Sequence, residues 1–341
     1  MRRFGIAVIL YTALYKGMDN MQREDLFKQK YSTLPTAERE PLLRSLADSR
    51  FQLLRFECFT RFGMQTDTAV YLCDGHEFVF VPGDTVTLGW ADFAVGMDDK
   101  TRRDMKKSLE EYEITNLDAF LRESMSTVRT VTLPPMLVER NLNDIGWRRV
   151  TLDSQELEPF QEDIKKHFGA KDRMLTIHGQ MRIYRKDDEV ITEMYEPVPM
   201  DDFFVRVHQN GFSLPTEDEW EYLCGGGSRT LFRWGDSFDY DMKLYHFAAD
   251  KSDDTPYTLE QSNQFGLSIA YDPYKQEVVE NSEYFLKGGD GGCNICGGSG
   301  VVLGYLPTAT YFRGECLSAN ELDYKSDIGG DYTFYRRIVR L

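Results

Sequence analysis

Leu214-Pro215-Thr216-Glu217-Asp218-Glu219-Trp220-Glu221-Tyr222 is the stretch on which the reading of this chain turns. Thr216 and Glu219 stand at capping-box spacing: the threonine hydroxyl accepts from the Glu219 backbone N–H while the Glu219 carboxylate reaches back. A short helix through Trp220 and Leu223 is predicted to follow, ended by Gly225-Gly226-Gly227. Beyond Gly225 the chain is rich in Gly, Tyr, Asp and Ser and has few long periodic segments, so loops and short strands are expected there.

Upstream, residues 36–62 read as a helix, because Leu43, Ala47, Phe51, Leu54 and Cys58 recur at spacings of three and four. Residues 68–72 and 77–89 are rich in Val, Phe, Tyr and Thr and flank Asp74-Gly75, which predicts a hairpin that Pro82-Gly83-Asp84 then breaks. Residues 98–125 carry dense charge around a stripe of Met105, Leu109, Tyr112, Leu117 and Phe120, the pattern of a helical insertion. Strand character returns over 128–139, a helix is expected over 155–168, and 174–195 alternates as a hairpin turning near Lys186-Asp187-Asp188. The fold class is therefore α+β. Residues 1–76 read as a helical extension with a first strand, and 77–341 as the main domain, with an insertion at about 98–126.

Of the 341 residues, 40 are Lys or Arg and 56 are Asp or Glu, a net charge of −16 that argues against a polyanionic partner such as nucleic acid. With 41% hydrophobic and 13% aromatic residues the chain can build a core. No apolar run approaches the roughly 18–20 residues that cross a bilayer, so no membrane span is expected. Arg2 and Arg3 before the apolar 4–14 segment have the outline of a signal peptide, but no small-x-small cleavage site follows and Tyr11, Tyr15 and Lys16 interrupt it. Met18 and Met21 are alternative starts. Six cysteines are too sparse for a disulfide scaffold, so a reducing cytoplasm is the expected compartment and secretion the alternative.

In the order of its short phrases, over roughly residues 77–341, the chain resembles the formylglycine-generating enzyme family, or sulfatase-modifying factor domain, which has a C-type-lectin-like fold. Residues 77–89 (EFVFVPGDTVTLG) are similar to the family's opening strand and 130–140 (TVTLPPMLVER) to the next. Residues 214–222 give the most specific match, with Ser213 where the family has arginine. Arg233-Trp234-Gly235-Asp236, Asn263-Gln264-Phe265-Gly266-Leu267, Lys287-Gly288-Gly289 and the terminal Arg337-Ile338-Val339-Arg340 follow in order.

The resemblance implies a copper-dependent oxidase that converts a peptide cysteine to formylglycine, its copper held by two cysteines in a segment like R-G-G-S-x-x-C-x-x-x-x-C. Cys293 falls at the first of these positions, Asp290 stands where the serine should be, and the second position is Gly298, with Cys296 two residues early. The implied catalytic residues are Cys293, Cys296 and Asp290, with Cys293 and Cys296 as metal ligands. The family's G-N-x-W-E-W phrase, which supplies calcium ligands and an active-site tryptophan, is replaced by residues 269–278, where Glu277 alone has a counterpart. The expectation is a divergent member with altered or lost activity on a peptide or protein substrate. The alternative is a non-catalytic module that binds a peptide, glycan or protein through the acidic, Tyr-rich loops from Trp234 to Gly300.

Taken by itself, the segment from Gly288 to Gly300 holds seven glycines, is costly to order, and must be tied down by packing, a disulfide, a metal or a partner. Its C-x-x-C lets two sulfurs face one ion or each other. Cys-Asn-Ile-Cys-Gly-Gly-Ser-Gly also resembles one repeat of the zinc region of DnaJ-type chaperones. Zinc there needs two further ligands, for which Cys316, Cys224, His208 and His246 are candidates without supporting spacing. Trp220 and Trp234 read as core anchors beneath the loops. Asp236, Asp239 and Asp241 lack an EF-hand's glycine and final glutamate and read as a solvated acidic turn. His178 is expected in a strand and His76 in a turn, neither near a nucleophile. No G-x-S-x-G, H-E-x-x-H or phosphate-binding loop occurs.

Overall fold

A computed structural model of the chain describes residues 23–91, 96–170, 174–186, 189–247, 255–280, 286–314 and 325–341. The signal-like segment, the alternative starts, the turn at 187–188 and Cys316 lie outside the described residues. Two helices, α1 (Lys28–Tyr31) and α2 (Thr36–Ser45), lead into the hairpin of β1 (Gln52–Arg61) and β2 (Met64–Cys73). The single helix expected over 36–62 is thus corrected to a helix and a strand. Asp48 Oδ1 accepts the backbone N–H groups of Arg50 and Phe51, both at 2.7 Å, and turns the chain out of the helix. From Gln52 onward every residue but Leu54 pairs with β2. The helical stripe was a coincidence of spacing, since Leu54 and Cys58 are exposed and Phe59 is the buried member of β1.

β3 (His76–Val81) folds back across Asp74-Gly75, whose φ values of 51° and 80° are those of the predicted tight hairpin turn. After the break at Pro82-Gly83 come β4 (Asp84–Leu88), the expected helical insertion as α3 (Asp99–Glu110) and α4 (Leu117–Glu123), then β5 (Arg129–Leu133) and β6 (Met136–Glu139). β7 (Asn143–Asp144) and β8 (Trp147–Arg149) precede a 3-10 turn at Gln155–Phe160 and α5 (Gln161–Ala170). Three strands follow where two were expected: β9 (Met174–Ile177), β10 (Met181–Lys186) and β11 (Glu189–Tyr195), which with β8 form a satellite sheet over Leu157, Ile164, Met181 and Ile183.

α6 (Met200–Gln209) and α7 (Glu217–Gly225) come next, and the remainder is loop punctuated by β12 (Gln276–Val278), β13 (Leu286–Lys287), α8 (Cys293–Cys296), α9 (Gly300–Gly304), β14 (Thr333–Tyr335) and β15 (Ile338–Arg340). The central sheet runs β1-β2-β3-β6-β15, antiparallel throughout, so the first strands and the last one share a sheet and the expected division at 76/77 falls at the edge of β3. A third sheet, β13-β12-β14-β7, contains the one parallel pair among the described strands, β12 with β14.

Side chains of the central strands alternate between two cores, as a pleat requires. Phe78, Phe80 and Leu137 face a core with α2 and α6, whereas Val79, Val81, Met136 and Val138 face a larger one built on α7 and the loops beyond it. Burial on both faces explains the nearly continuous apolar run of β3.

Candidate functional site

Within the larger core, α7 forms as its sequence dictates. Glu219 N–H donates to Thr216 Oγ1 (3.3 Å), Thr216 N–H donates to Glu219 Oε2 (2.8 Å), and Gly226 ends the helix at φ 60°. Three glutamates of this helix are buried, and each meets a cation from a distant part of the chain. Arg313 donates to both oxygens of Glu217 (2.8 and 2.7 Å), and Arg340 grips Glu219, with its Nη2 at 2.6 Å. Lys287 Nζ, from the Lys-Gly-Gly phrase, reaches Glu221 at 2.9 Å and Glu217 at 3.4 Å. Burial works to raise the Glu217 carboxyl, but the hydrogen bonds from Arg313 and the charge of Lys287 outweigh it and hold it at about 2.

The other phrases converge on the same helix. Tyr222 Oη donates to Pro82 O (3.1 Å) and Asn263 Nδ2 to Leu223 O (2.7 Å). Trp220 is fully buried, and its ring lies so close to Gly288 that a Cβ there would sit 2.9 Å from it. Trp234 stacks on Phe232 at 4.6 Å against the same core, so both tryptophans anchor the loops from within.

From Lys287 the chain runs outward to the cysteines. Gly289 lies against the Lys275 carbonyl, 2.4 Å from where a Cβ would be, and Asp290 N–H donates to Pro273 O (2.9 Å). Asp290 is buried; its Oδ1 accepts Gly292 N–H (2.8 Å) and its Oδ2 accepts Asn294 N–H (3.1 Å). Burial pushes this carboxyl up, against the backbone N–H groups that draw it down. Asp290 thus organises the turn that presents the thiols. Cys293 and Cys296 begin and end the single turn of α8, both exposed and neither in a disulfide. Asn294 Nδ2 ties that turn to Leu303 O (3.1 Å), and Ile295 packs against the core.

The insertion supports the same loop. α3 packs on α9, and the Tyr112 hydroxyl beyond its end lies 3.3 Å from Gly297 O and 3.1 Å from Ser299 Oγ. On the other side stands Tyr274, whose hydroxyl is 3.2 Å from Cys296 Sγ. His246 stacks on the Tyr274 ring at 4.4 Å, and His246 Nε2 lies 2.9 Å from Asp272 Oδ1, which also accepts Tyr274 N–H (3.0 Å). The hydrogen bond to Cys296, then burial, raises the Tyr274 phenol to about 12, so it keeps its proton at neutral pH. Tyr245 packs edge-on to His246, Tyr332 tilts against Tyr274 and Phe247 meets Tyr305, and the three expose 42%, 40% and 46% of their surface.

Sequence reasoning named the cysteines and Asp290 but missed the role of Tyr274. Asp272-Pro273-Tyr274 is legible as a turn in which an aspartate caps the N–H two residues on, yet nothing in the chain order announces that it faces Cys296 or that His246 stacks on it. His246, a zinc candidate in the sequence, stacks on Tyr274 and pairs with Asp272. Cys224 is buried beside Thr310, and His208 pairs with Glu280 at 2.6 Å. Among the described residues no group of three or more His, Cys, Asp or Glu is arranged to hold a metal ion.

Glu277, which the resemblance alone would align with a calcium-binding phrase, is buried and gives both oxygens to Arg336, at 2.7 and 3.0 Å. Asp236 and Asp239 accept backbone N–H groups of Leu231 and Asp241. The two expected histidine placements are corrected: His178 sits in the turn after β9, paired with Asp331, while His76 opens β3 and pairs with Glu139. No membrane-crossing helix occurs among the described residues. Compared with known proteins, the chain matches no family model and no curated protein.

Proposed function

We propose that the chain is a divergent protein of the formylglycine-generating type on a C-type-lectin-like scaffold, in which Cys293 and Cys296 hold a Cu(I) ion beside a surface that takes a cysteine-containing peptide. The observation that carries this reading is the pair of exposed, unbridged thiols one turn apart on α8. Residues three apart on a helix share a face, with Cβ atoms about 5–6 Å apart, and two soft thiolates suit Cu(I). In this reading Cys296 takes the place of the family's second cysteine, whose position, Gly298, is a left-handed turn residue at φ 78°.

Bound copper supplies the one-electron and oxygen chemistry. The chain's own residues do the rest. Asp290 fixes the turn that aims the sulfurs, the α7 ion-pair network anchors the loop from below, and Tyr245, Phe247 and Tyr332 offer a peptide contact area at low conformational-entropy cost. The sparse cysteines favour a cytoplasmic setting.

Anaerobic Cu(I) titration against a chromophoric chelator tests the proposal. One ion per chain is expected for the wild type, and none for Cys293→Ser or Cys296→Ser. Equal stoichiometry in wild type and Cys293→Ser sinks it. The second reading, a non-catalytic binder of a peptide, glycan or protein, is favoured by the same exposed aromatic residues. It predicts partner binding with no oxygen uptake on adding a cysteine peptide.

A further inference from the structure

We infer that Tyr274 is a positioning residue for the metal site: its hydroxyl donates to the Cys296 sulfur and fixes that sulfur as a ligand. The inference rests on the Cu(I) reading above and adds to it a residue outside the cysteine loop, in a segment where the family resemblance fails.

The distance of 3.2 Å between Tyr274 Oη and Cys296 Sγ is within hydrogen-bonding range for sulfur. A metal-bound thiolate carries no proton, so in the loaded site the phenol is the donor. Its ring is held on several sides. His246 stacks on it at 4.4 Å and 29°, and Tyr332 tilts against it at 5.5 Å. Gly292 lies so close that a Cβ there would meet the ring at 2.1 Å, and its φ of 84° suits glycine.

Asp272 locks the arrangement by accepting from the Tyr274 backbone and pairing with His246 through the same oxygen, at 3.0 and 2.9 Å. A chain of contacts therefore runs from Asp272 through His246 and Tyr274 to Cys296. α8 is a single turn of four residues whose backbone Asp290 and Asn294 tie down, but its sulfurs stand at the ends of rotatable, exposed side chains. A partner outside the loop supplies the missing restraint, as outer-shell hydrogen bonds do for metal ligands generally.

The test uses the full chain and Cu(I) alone, in anaerobic competition titrations of wild type, Tyr274→Phe and Tyr184→Phe. Tyr274→Phe keeps the ring, its stacking and its packing on Gly292 and removes only the hydroxyl. Its Cu(I) affinity is expected to fall about 10–100-fold, with a shifted ultraviolet thiolate-to-copper absorption and an unchanged thermal unfolding midpoint. Tyr184→Phe, on β10 of the satellite sheet, is expected to leave affinity and spectrum as they are. If the wild type binds Cu(I) and Tyr274→Phe binds it equally well, or if Tyr184→Phe weakens it as much, the inference is overturned while the Cu(I) reading stands. Failure of the wild type to bind Cu(I) overturns both.

Discussion

Lys287 shows how much of this fold depends on single buried charges. It is 1% exposed, and its ammonium meets three acceptors: Glu221 (2.9 Å), Glu217 (3.4 Å) and the Phe312 carbonyl (2.8 Å). An ammonium has three donors, so the group is fully satisfied. Without Lys287, Glu221 keeps only Arg129, at 3.0 Å, and Glu217 only Arg313, so the buried carboxylates lose part of their compensation. Lys287→Met is therefore expected to cost up to about 3–5 kcal/mol, read from urea unfolding, and Lys287→Met with Glu221→Leu to recover part of it. A loss no larger than that of an exposed lysine would show that the ammonium is hydrated after all. The sequence marks Lys287-Gly288-Gly289 as a phrase, but no pattern along the chain announces that its lysine is buried under a helix seventy positions earlier in one bond and sixty-six in the other.

At the scale of elements, α7 forms from local signals and β1 does not. The capping box of Thr216 and Glu219 is readable because both arms are formed by residues three apart, and it is present in full. Thr216→Ala removes the oxygen that accepts Glu219 N–H and should cost about 1 kcal/mol, measurable as a lower urea midpoint. Thr216→Ser should retain most of the stability; if alanine is as stable as serine, the hydroxyl is not capping the helix. For residues 36–62 the local stripe fitted a helix, but the ladder with β2 satisfies the backbone of 52–61, and β2 is itself held between β1 and β3. A partner outside the segment decided the outcome, as it often does for strand-capable sequences. The insertion illustrates the reverse case. Its helices were legible from their stripe, whereas their service as a prop for the cysteine loop through Tyr112 was not.

For the whole molecule, two buried carboxylates join distant parts of the chain. Glu139 pairs with Arg337 and His76, and Glu217 with Arg313 and Lys287. For each, burial acts to raise the carboxyl, but hydrogen bonds from its partners, Arg337 first for Glu139 and Arg313 first for Glu217, prevail and hold it at about 2, against an ordinary value of 4.5. A carboxylate with a depressed folded-state pKa stabilises the fold above its unfolded value and loses that contribution as pH falls through the folded one. Stability should thus change little from this cause above pH 4.5 and fall by a few kcal/mol for each group as the pH drops toward 2. Urea midpoints measured stepwise from pH 5 to 2 check this. Glu139→Gln and Glu217→Gln should be less stable at pH 5 and show a shallower decline; wild-type midpoints that stay level over that range would contradict it.

Local pattern along the chain was enough to specify the α+β class, the hairpin at Asp74-Gly75, the capped helix α7, the inserted helices and a costly glycine loop with two thiols. Each of these is set by residues within a few positions of one another, where backbone preference and side-chain spacing act directly. Long-range packing made residues 52–61 a strand, brought Arg313, Arg340 and Lys287 to Glu217, Glu219 and Glu221, and set Tyr274 against Cys296. Those outcomes depend on partners brought together from far along the chain. Their physical cause is the need to satisfy every buried backbone group and charge, which no local pattern can specify.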